Sequence, residues 1–272
     1  MSKRLESDAP WNADKIHVPR IELRVPGPWR AAPELAEALR AEGEGYEMDE
    51  AELVNAATGH RVQWGVTEHD DEIAALFAGT ERLSQDEIDA VASHAVKVHL
   101  MGPGGSVEAA KAMMTAATAV VRAGGHGVFI DNSGLAHGRD DWFNLAEDKN
   151  AGGLYWAYVA GNQDNAQQVV FSCGMHCLGL RDAELPTREI SDTQFAGFLL
   201  HNFLGYTYQS GRTIHDGDIV GGGPDQPDSP TFRAHQALCT RFAAGTPFHN
   251  PYGIWRLERM WPEEVQELKV EP

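Results

Sequence analysis

AVKVHLMGPGGSVEAAKAMMTAATAVVRAGGHGVFIDN, residues 95–132, is the stretch that decides the fold. Val96–Met101 reads as a strand and Gly102-Pro103-Gly104-Gly105 as a tight turn. Ser106 is placed to cap a helix, because its hydroxyl can accept one of the amide hydrogens that a helix start leaves unpaired. Glu108 and Arg122 carry the charges that suit the two ends of that helix dipole. Val107, Ala110, Met113, Met114, Ala117, Val120 and Val121 recur at helical spacing and form its buried stripe. Gly124-Gly125 supplies a left-handed stop, and Val128, Phe129 and Ile130 make His126–Asn132 the next strand. A helix carried between two strands in this way is expected to return to the same sheet by a right-handed crossover.

Upstream, Ile21, Leu23 and Val25 alternate with Glu22 and Arg24, which predicts a half-buried strand over Ile16–Val25. Pro33 opens a helix that ends near Gly43. Gly45–Asn55 and Arg61–Glu68 read as two strands about the turn Ala57–His60. Ser84-Gln85-Asp86-Glu87 is a capping box, and its helix runs to about His94. The order strand, helix, strand, strand, helix, strand is that of a ferredoxin-like βαββαβ unit.

Downstream, Ala136–Asp148 is expected to hold a short helix. Leu154–Gly161 and Gln168–Cys177 should form a hairpin, Thr193–Gln209 a long helix, Arg212–Val220 a strand or hairpin arm and Tyr252–Arg259 a last strand. Gly221–Pro230 reads as a loop, and the chain beyond Thr231 as mostly irregular until that last strand. The expected class is therefore α+β, a mixed β-sheet flanked by helices. Its symmetric form would be two ferredoxin-like halves, residues 16–101 and 102–262, on one continuous sheet. Residues 16–262 form the expected domain, with a polar tail over 1–15 and an acidic tail over 263–272.

The composition narrows the function. The chain has 272 residues, 42% hydrophobic and 23% charged, which is ordinary for a globular protein. Forty acidic residues against twenty-two basic ones leave a formal charge of -18. A phosphate backbone is repelled by such a surface, so no nucleic-acid partner is expected, whereas a basic protein partner suits it. The apolar runs Val107–Val121 and Phe195–Tyr208 are too short and interrupted to span a membrane. The polar start, MSKRLESDAP, shows no secretory pattern. Three cysteines, Cys173, Cys177 and Cys239, are an odd number without framework spacing and point to thiols in a reducing cytoplasm. Oligomeric state has no signature in the sequence.

Each catalytic motif tested is incomplete. Gly102–Ser106 lacks the glycine a dinucleotide fingerprint needs at position 107, which is Val107, and lacks the lysine of a P-loop. No cofactor is expected there. In Cys173-Gly174-Met175-His176-Cys177, strand geometry would turn His176 away from both thiols, so no metal is expected. His215-Asp216-Gly217-Asp218 lacks the later ligands of a calcium loop and reads better as a turn. Asp131, Ser133, His137, Asp140 and Asp141 lie just past a strand's carboxyl end, where sites in α/β sheets gather. A hydrolase-type site could be drawn from Asp131, Ser133, His137 and Asp140, with His176 or His215 nearby. Ser133 has no G-x-S-x-G elbow around it.

Four stretches carry a resemblance: VPGPW at 25–29, AGGHGVFIDNSGLAH at 123–137, SCGMHCLGLRDAE at 172–184 and NPYGIWRL at 250–257. Together they resemble a family of bacterial proteins, domain-of-unknown-function family 4261, the Gly-Met-x-x-Leu-Gly element at 174–179 most of all. The resemblance implies a bacterial cytoplasmic protein and supplies no activity or catalytic residues. The leading expectation is thus a non-catalytic protein that binds another, in the manner of an immunity protein or antitoxin facing a basic partner. The alternative is the hydrolase around Asp131–Asp141.

Overall fold

The structure is a computed structural model that describes residues 18–80, 82–148, 152–188, 190, 193–221 and 230–261. The two expected tails, the start of the first strand and most of the Gly221–Pro230 loop lie outside the described residues.

The first strand, β1 (Arg20–Gly27), buries Ile21, Leu23 and Val25 as its alternation requires. α1 (Ala32–Glu42) has Pro33 in its first turn and buries Leu35 and Leu39. The strand expected over 45–55 is broken into β2 (Tyr46–Met48) and β3 (Glu52–Asn55). The cause is Asp49, whose side chain accepts from the amides of Ala51 and Glu52 at 3.0 and 2.8 Å and folds the chain back on itself. β4 (Arg61–Glu68) follows. α2 (Asp71–Ala78) was not expected; Asp70 caps it and Ile73 and Phe77 bury one face. α3 (Gln85–Ala92) starts on the Ser84–Glu87 capping box.

β5 (Val96–Pro103), α4 (Val107–Arg122) and β6 (Gly127–Ile130) reproduce the reading of residues 95–132 closely. Ser106 Oγ accepts from the Ala109 amide at 3.1 Å. The strands on either side of α4 are not neighbours, however. Both pair antiparallel with β1, which lies between them. The unit is a split βαβ, because β6 completes the free edge of β1 at Leu23↔Ile130 and Arg24↔Phe129.

β7 (Leu135–Gly138) and α5 (Arg139–Glu147) follow. The expected hairpin arm at Leu154–Gly161 is instead mostly a helix, α6 (Gly152–Tyr158), which buries Leu154, Tyr155, Ala157 and Tyr158. A short apolar run is compatible with either state, and packing decides: the Tyr158 hydroxyl donates to Ala110 O at 3.0 Å and ties α6 to α4. β8 (Ala160–Asp164) and β9 (Val169–Cys173) are the hairpin, followed by a 3-10 turn at Met175–Leu178. β10 (Asp182–Pro186) was not expected; α7 (Thr193–Ser210) was. β11 (Ile219–Gly221), β12 (Thr231–Ala237) and β13 (Ile254–Met260) end the fold, with β12 in the stretch that reads as irregular.

The class is α+β, with two sheets rather than one. The first has seven antiparallel strands in the order β2-β3-β4-β5-β1-β6-β7; the second has six in the order β11-β12-β13-β10-β9-β8. Two ferredoxin-like halves meeting near residue 101 do not describe this arrangement. β5, α4 and β6 cross that boundary, and the second sheet begins only at β8. One continuous core draws on both sheets, and nine residues of α4 are buried in or beside it. α4 packs on β1, β5 and β6 and also on α5, α6 and the 3-10 turn. A smaller cluster, Ile73, Phe77, Val91, Phe129 and Ala136, seals α2 and α3 onto the opposite face of the first sheet. Among the described residues no helix is long and apolar enough to cross a membrane.

Candidate functional site

The backbone of β1 builds the site through Asn132, which follows β6 and is 1% exposed. Asn132 Oδ1 accepts from the Glu22 amide at 2.9 Å, and its Nδ2 donates to Arg20 O at 2.8 Å. Those two bonds fix which end of the amide is nitrogen. The same Nδ2 lies 3.2 Å from His176 Nε2 and 3.2 Å from Pro247 O. An amide nitrogen only donates, so Nε2 accepts and the ring proton sits on Nδ1. Two amide hydrogens thus face three acceptors.

His176 Nδ1 lies 3.8 Å from Asp182 Oδ2 and has no hydrogen-bond partner among the described residues. Asp182 itself is 3% exposed and well supplied with donors. Its Oδ1 accepts from Ser172 Oγ at 2.8 Å and the Met175 amide at 3.2 Å, and its Oδ2 accepts from Asn250 Nδ2 at 2.7 Å. Asn250 also donates to Leu180 O at 3.0 Å, which pins the loop before β13 onto the network. The result is a buried polar seam from β1 through Asn132, His176 and Asp182 to Asn250.

The glycines of the Gly-Met-x-x-Leu-Gly element explain how His176 reaches that position. Gly174 and Gly179 flank the 3-10 turn with φ of +106° and +81°. A Cβ at Gly174 would collide with Tyr158 O, and one at Gly179 with Gly105 O. The element is therefore a sharp turn rather than a strand, which corrects the alternating placement expected for Cys173, His176 and Cys177. Cys177 and His176 are both buried within it. Burial pushes the thiols of Cys173 and Cys177 well up, as expected of cysteines packed as apolar side chains. Gly105 N donates to Cys177 O at 3.0 Å and Gly104 N to Pro19 O at 2.7 Å, so the turn before α4 spends these amides on the protein.

Two cavities reach the seam. One of about 220 Å³ opens on Asn132 and His176 and is walled by Arg20, Glu22, Thr246 and His249. The other, about 380 Å³, opens on Ser172 and Asp182 and is walled by Cys239, Arg241 and Phe248. The loop between β12 and β13 contributes to both. Arg241 is tied down there: it donates to Asp164 at 2.9 Å and lies 4.1 Å over the Phe171 ring. Among the described residues no group of three His, Cys, Asp or Glu side chains is placed to hold a metal ion.

The residues singled out from the sequence fall into separate places. Asp131 forms a two-pronged pair with Arg24, one bond being Nε to Oδ2 at 2.8 Å. Ser133 is buried, and its Oγ has no hydrogen-bond partner among the described residues. No base is therefore seated on it as a nucleophile needs. His137 is turned the other way: Nδ1 meets Asp141 Oδ2 at 2.8 Å and Nε2 meets Ala157 O at 3.0 Å. That bond holds the Asp141 carboxyl below its ordinary value. Asp140 is exposed at the start of α5. His215 is exposed in a turn of its own, 3.6 Å from Asp218. Of the set, His176 lines a cavity.

Asn132, Asp182, Asn250 and Arg24 were not singled out. Arg24 and Asp182 sit inside strands, where one polar residue in an alternating pattern has no distinguishing mark. Asn250-Pro251 does carry a turn signature, and its amide proves to be the anchor of that turn: Oδ1 accepts from the Tyr252 amide at 2.9 Å. The chain was compared with known families, curated proteins and solved structures. No family model matches it, no curated protein does, and no solved structure does.

Proposed function

We propose that the chain works by binding another protein, a basic one, in the manner of an immunity protein or antitoxin. The supporting observation is where its charge lies. Residues 31–90 hold sixteen acidic side chains against three Lys or Arg, while residues 160–261 hold ten against seven. The acidic segment forms α1, α2, α3 and the strands β2, β3 and β4 at one edge of the first sheet. Glu34, Glu37, Glu42, Glu47, Asp71 and Asp86 are exposed on it. Glu52 is paired with Arg61 at 2.7 Å and Glu44 with Arg122, which leaves much of the charge uncompensated. Fields of this kind speed the encounter with a partner of opposite sign and repel others, more than they tighten the final complex.

The same reading takes the chain as a cytoplasmic bacterial protein, in keeping with the resemblance carried by residues 174–179. Affinity capture from the native cell tests it, with the wild type beside the E34K/E37K double variant. The expected result is a basic protein that wild type retains, that the variant retains poorly and that salt elutes. Capture of no basic protein, or equal capture by both forms, would overturn the proposal.

A further inference from the structure

We infer that the outer face of α7 is the contact through which two copies of this chain pair, antiparallel and about a two-fold axis at Asn202. The helix packs on β8, β9 and β10, with Ala196, Leu200, Phe203 and Leu204 buried. Its other side exposes Phe198 to 59%, and Phe195 and Tyr206 to 42% each. Phe195 and Phe198 stack with ring centroids 6.3 Å apart. Trp156 of α6, 46% exposed, adjoins the helix through His201, 5.3 Å away between ring centroids. Charge names the occupant. α7 contains no Asp, Glu, Lys or Arg, and burial holds the His201 imidazole below its ordinary value, so it is neutral at pH 7. Arg212, just past the helix, donates to the Tyr206 hydroxyl at 3.0 Å and marks a polar rim. Two copies of charge -18 repel one another over most approaches, and a neutral face is where they can meet.

The stripe also matches itself. Phe195, Phe198, Asn202, Tyr206 and Gln209 follow one another in steps of three, four, four and three residues. Those steps average 3.5, the period of a two-helix seam, and they read the same in both directions from Asn202. A two-fold pair needs that self-complementarity. Phe198 of one copy would face Tyr206 of the other, and Asn202 would face itself, its amide both donating and accepting. Gly205 supplies the hole for the phenylalanine knob. Glycine inside a helix destabilises it relative to alanine, and a Cβ at Gly205 would meet nothing within 4 Å. Its own chain does not fill that space, whereas the Phe198 ring of a second copy would enter it beside Tyr206. A basic partner has no carboxylate to seek on this face. The acidic edge proposed to bind it belongs to the first sheet, so either contact can fail without the other.

Sedimentation equilibrium of the full chain tests the inference. A single pair of helices lies at the small end of specific interfaces, so wild type should dimerise with a micromolar dissociation constant. F198E should weaken pairing at least about ten-fold by setting a charge against the ring of Tyr206. Its circular dichroism should match wild type, because the position is exposed. The double variant F198E/Y206K should regain pairing, since its opposite charges face one another across an antiparallel dimer. F198E/A57K carries the same net charge, with the lysine in the exposed turn between β3 and β4, and should stay as weak as F198E. A wild type that is monomeric at about 100 μM, or F198E pairing as well as wild type, would end the proposal. So would a double variant no better than F198E, or recovery by A57K equal to that by Y206K.

Discussion

Asn132 and His176 join the two sheets through one 3.2 Å contact between an amide nitrogen and an imidazole nitrogen. The amide cannot turn over, because β1 holds both of its ends, and so the histidine tautomer is set by the backbone of β1 acting through an asparagine 44 residues earlier in the chain than His176. Asn132→Asp would replace the donor with an acceptor opposite Nε2 and opposite Arg20 O. The expected consequence is a loss of about 1–3 kcal/mol from unsatisfied buried groups. Urea unfolding of the purified variant measures it, and a midpoint equal to wild type would show that the amide is not holding the ring.

Gly174→Ala should be among the most damaging small changes in the chain. The residue sits at φ +106° and its new methyl would run into Tyr158 O. Left-handed strain alone costs about 1–3 kcal/mol, and the overlap adds to it. Gly217→Ala is the control. Its φ is +85° but nothing lies within 4 Å of its Cβ position, so it should cost only the strain. Melting temperatures of the two variants compare them directly.

Lys97 and Asp70 make an ion pair in which the lysine is nearly buried, with 6% of its side chain exposed. The Lys97 contact holds the Asp70 carboxyl below its ordinary value. Asp70→Asn keeps the cap on α2, where Oδ1 accepts from the Glu72 amide at 2.8 Å, but strands the ammonium. Lys97→Met removes the buried charge and leaves Asp70 near water. The expected order of stability is wild type, then Lys97→Met, then Asp70→Asn, because an unpaired buried charge costs more than a missing pair. The reverse order in guanidinium melts would show that the pair adds nothing beyond the cap.

The bond between His137 and Asp141 should appear in the acid limb of stability. Folding lowers the Asp141 value below 3.8, first through the His137 hydrogen bond. A carboxylate lowered in this way stabilises the fold above its unfolded value, and that contribution fades as pH falls from 3.8 through the folded value. Asp141→Asn should therefore flatten the decline of unfolding midpoint with acid across that window. An acid limb as steep as wild type would place the titration elsewhere.

The thiols offer a simple check on packing. Cys173 and Cys177 are buried with their thiols pushed up, and Cys239 is partly exposed. One equivalent of thiol should react with an aromatic disulfide reagent in the native state and three after unfolding. Rapid reaction of more than one native thiol would contradict the burial described.

Much of the first sheet was legible because its signals are local. The capping box of α3, the serine cap and apolar stripe of α4 and the alternation in β1 each lie within a few residues. β10 and β12 were not legible, since their strand state is made by partners far along the chain: Ala183 pairs with Trp255 and Ala234 with Leu257. α2 had a readable cap in Asp70, but Ile73 and Phe77 become informative only when Phe129 is known to face them. The site was half legible. His176 stood out as a histidine between glycines, yet its partner Asp182 and its support Asn132 are set by tertiary contacts alone. The other candidates, from Asp131 to Asp140, were drawn together by sequence proximity, whereas Asp131 pairs with Arg24 and His137 is held by Asp141 and Ala157 O.

α4 is completed on one side by strands that precede it and by β6, and on the other by α6 and the turn at Met175–Leu178. On a ribosome those later pieces emerge well after the helix. Until they arrive, the nascent chain carries a sheet and helix whose side at Ala110, where Tyr158 will bind, is uncovered. Synthesis of this protein therefore passes through an interval of stickiness whose length is set by translation speed, and slow codons between Gly138 and Met175 would lengthen it.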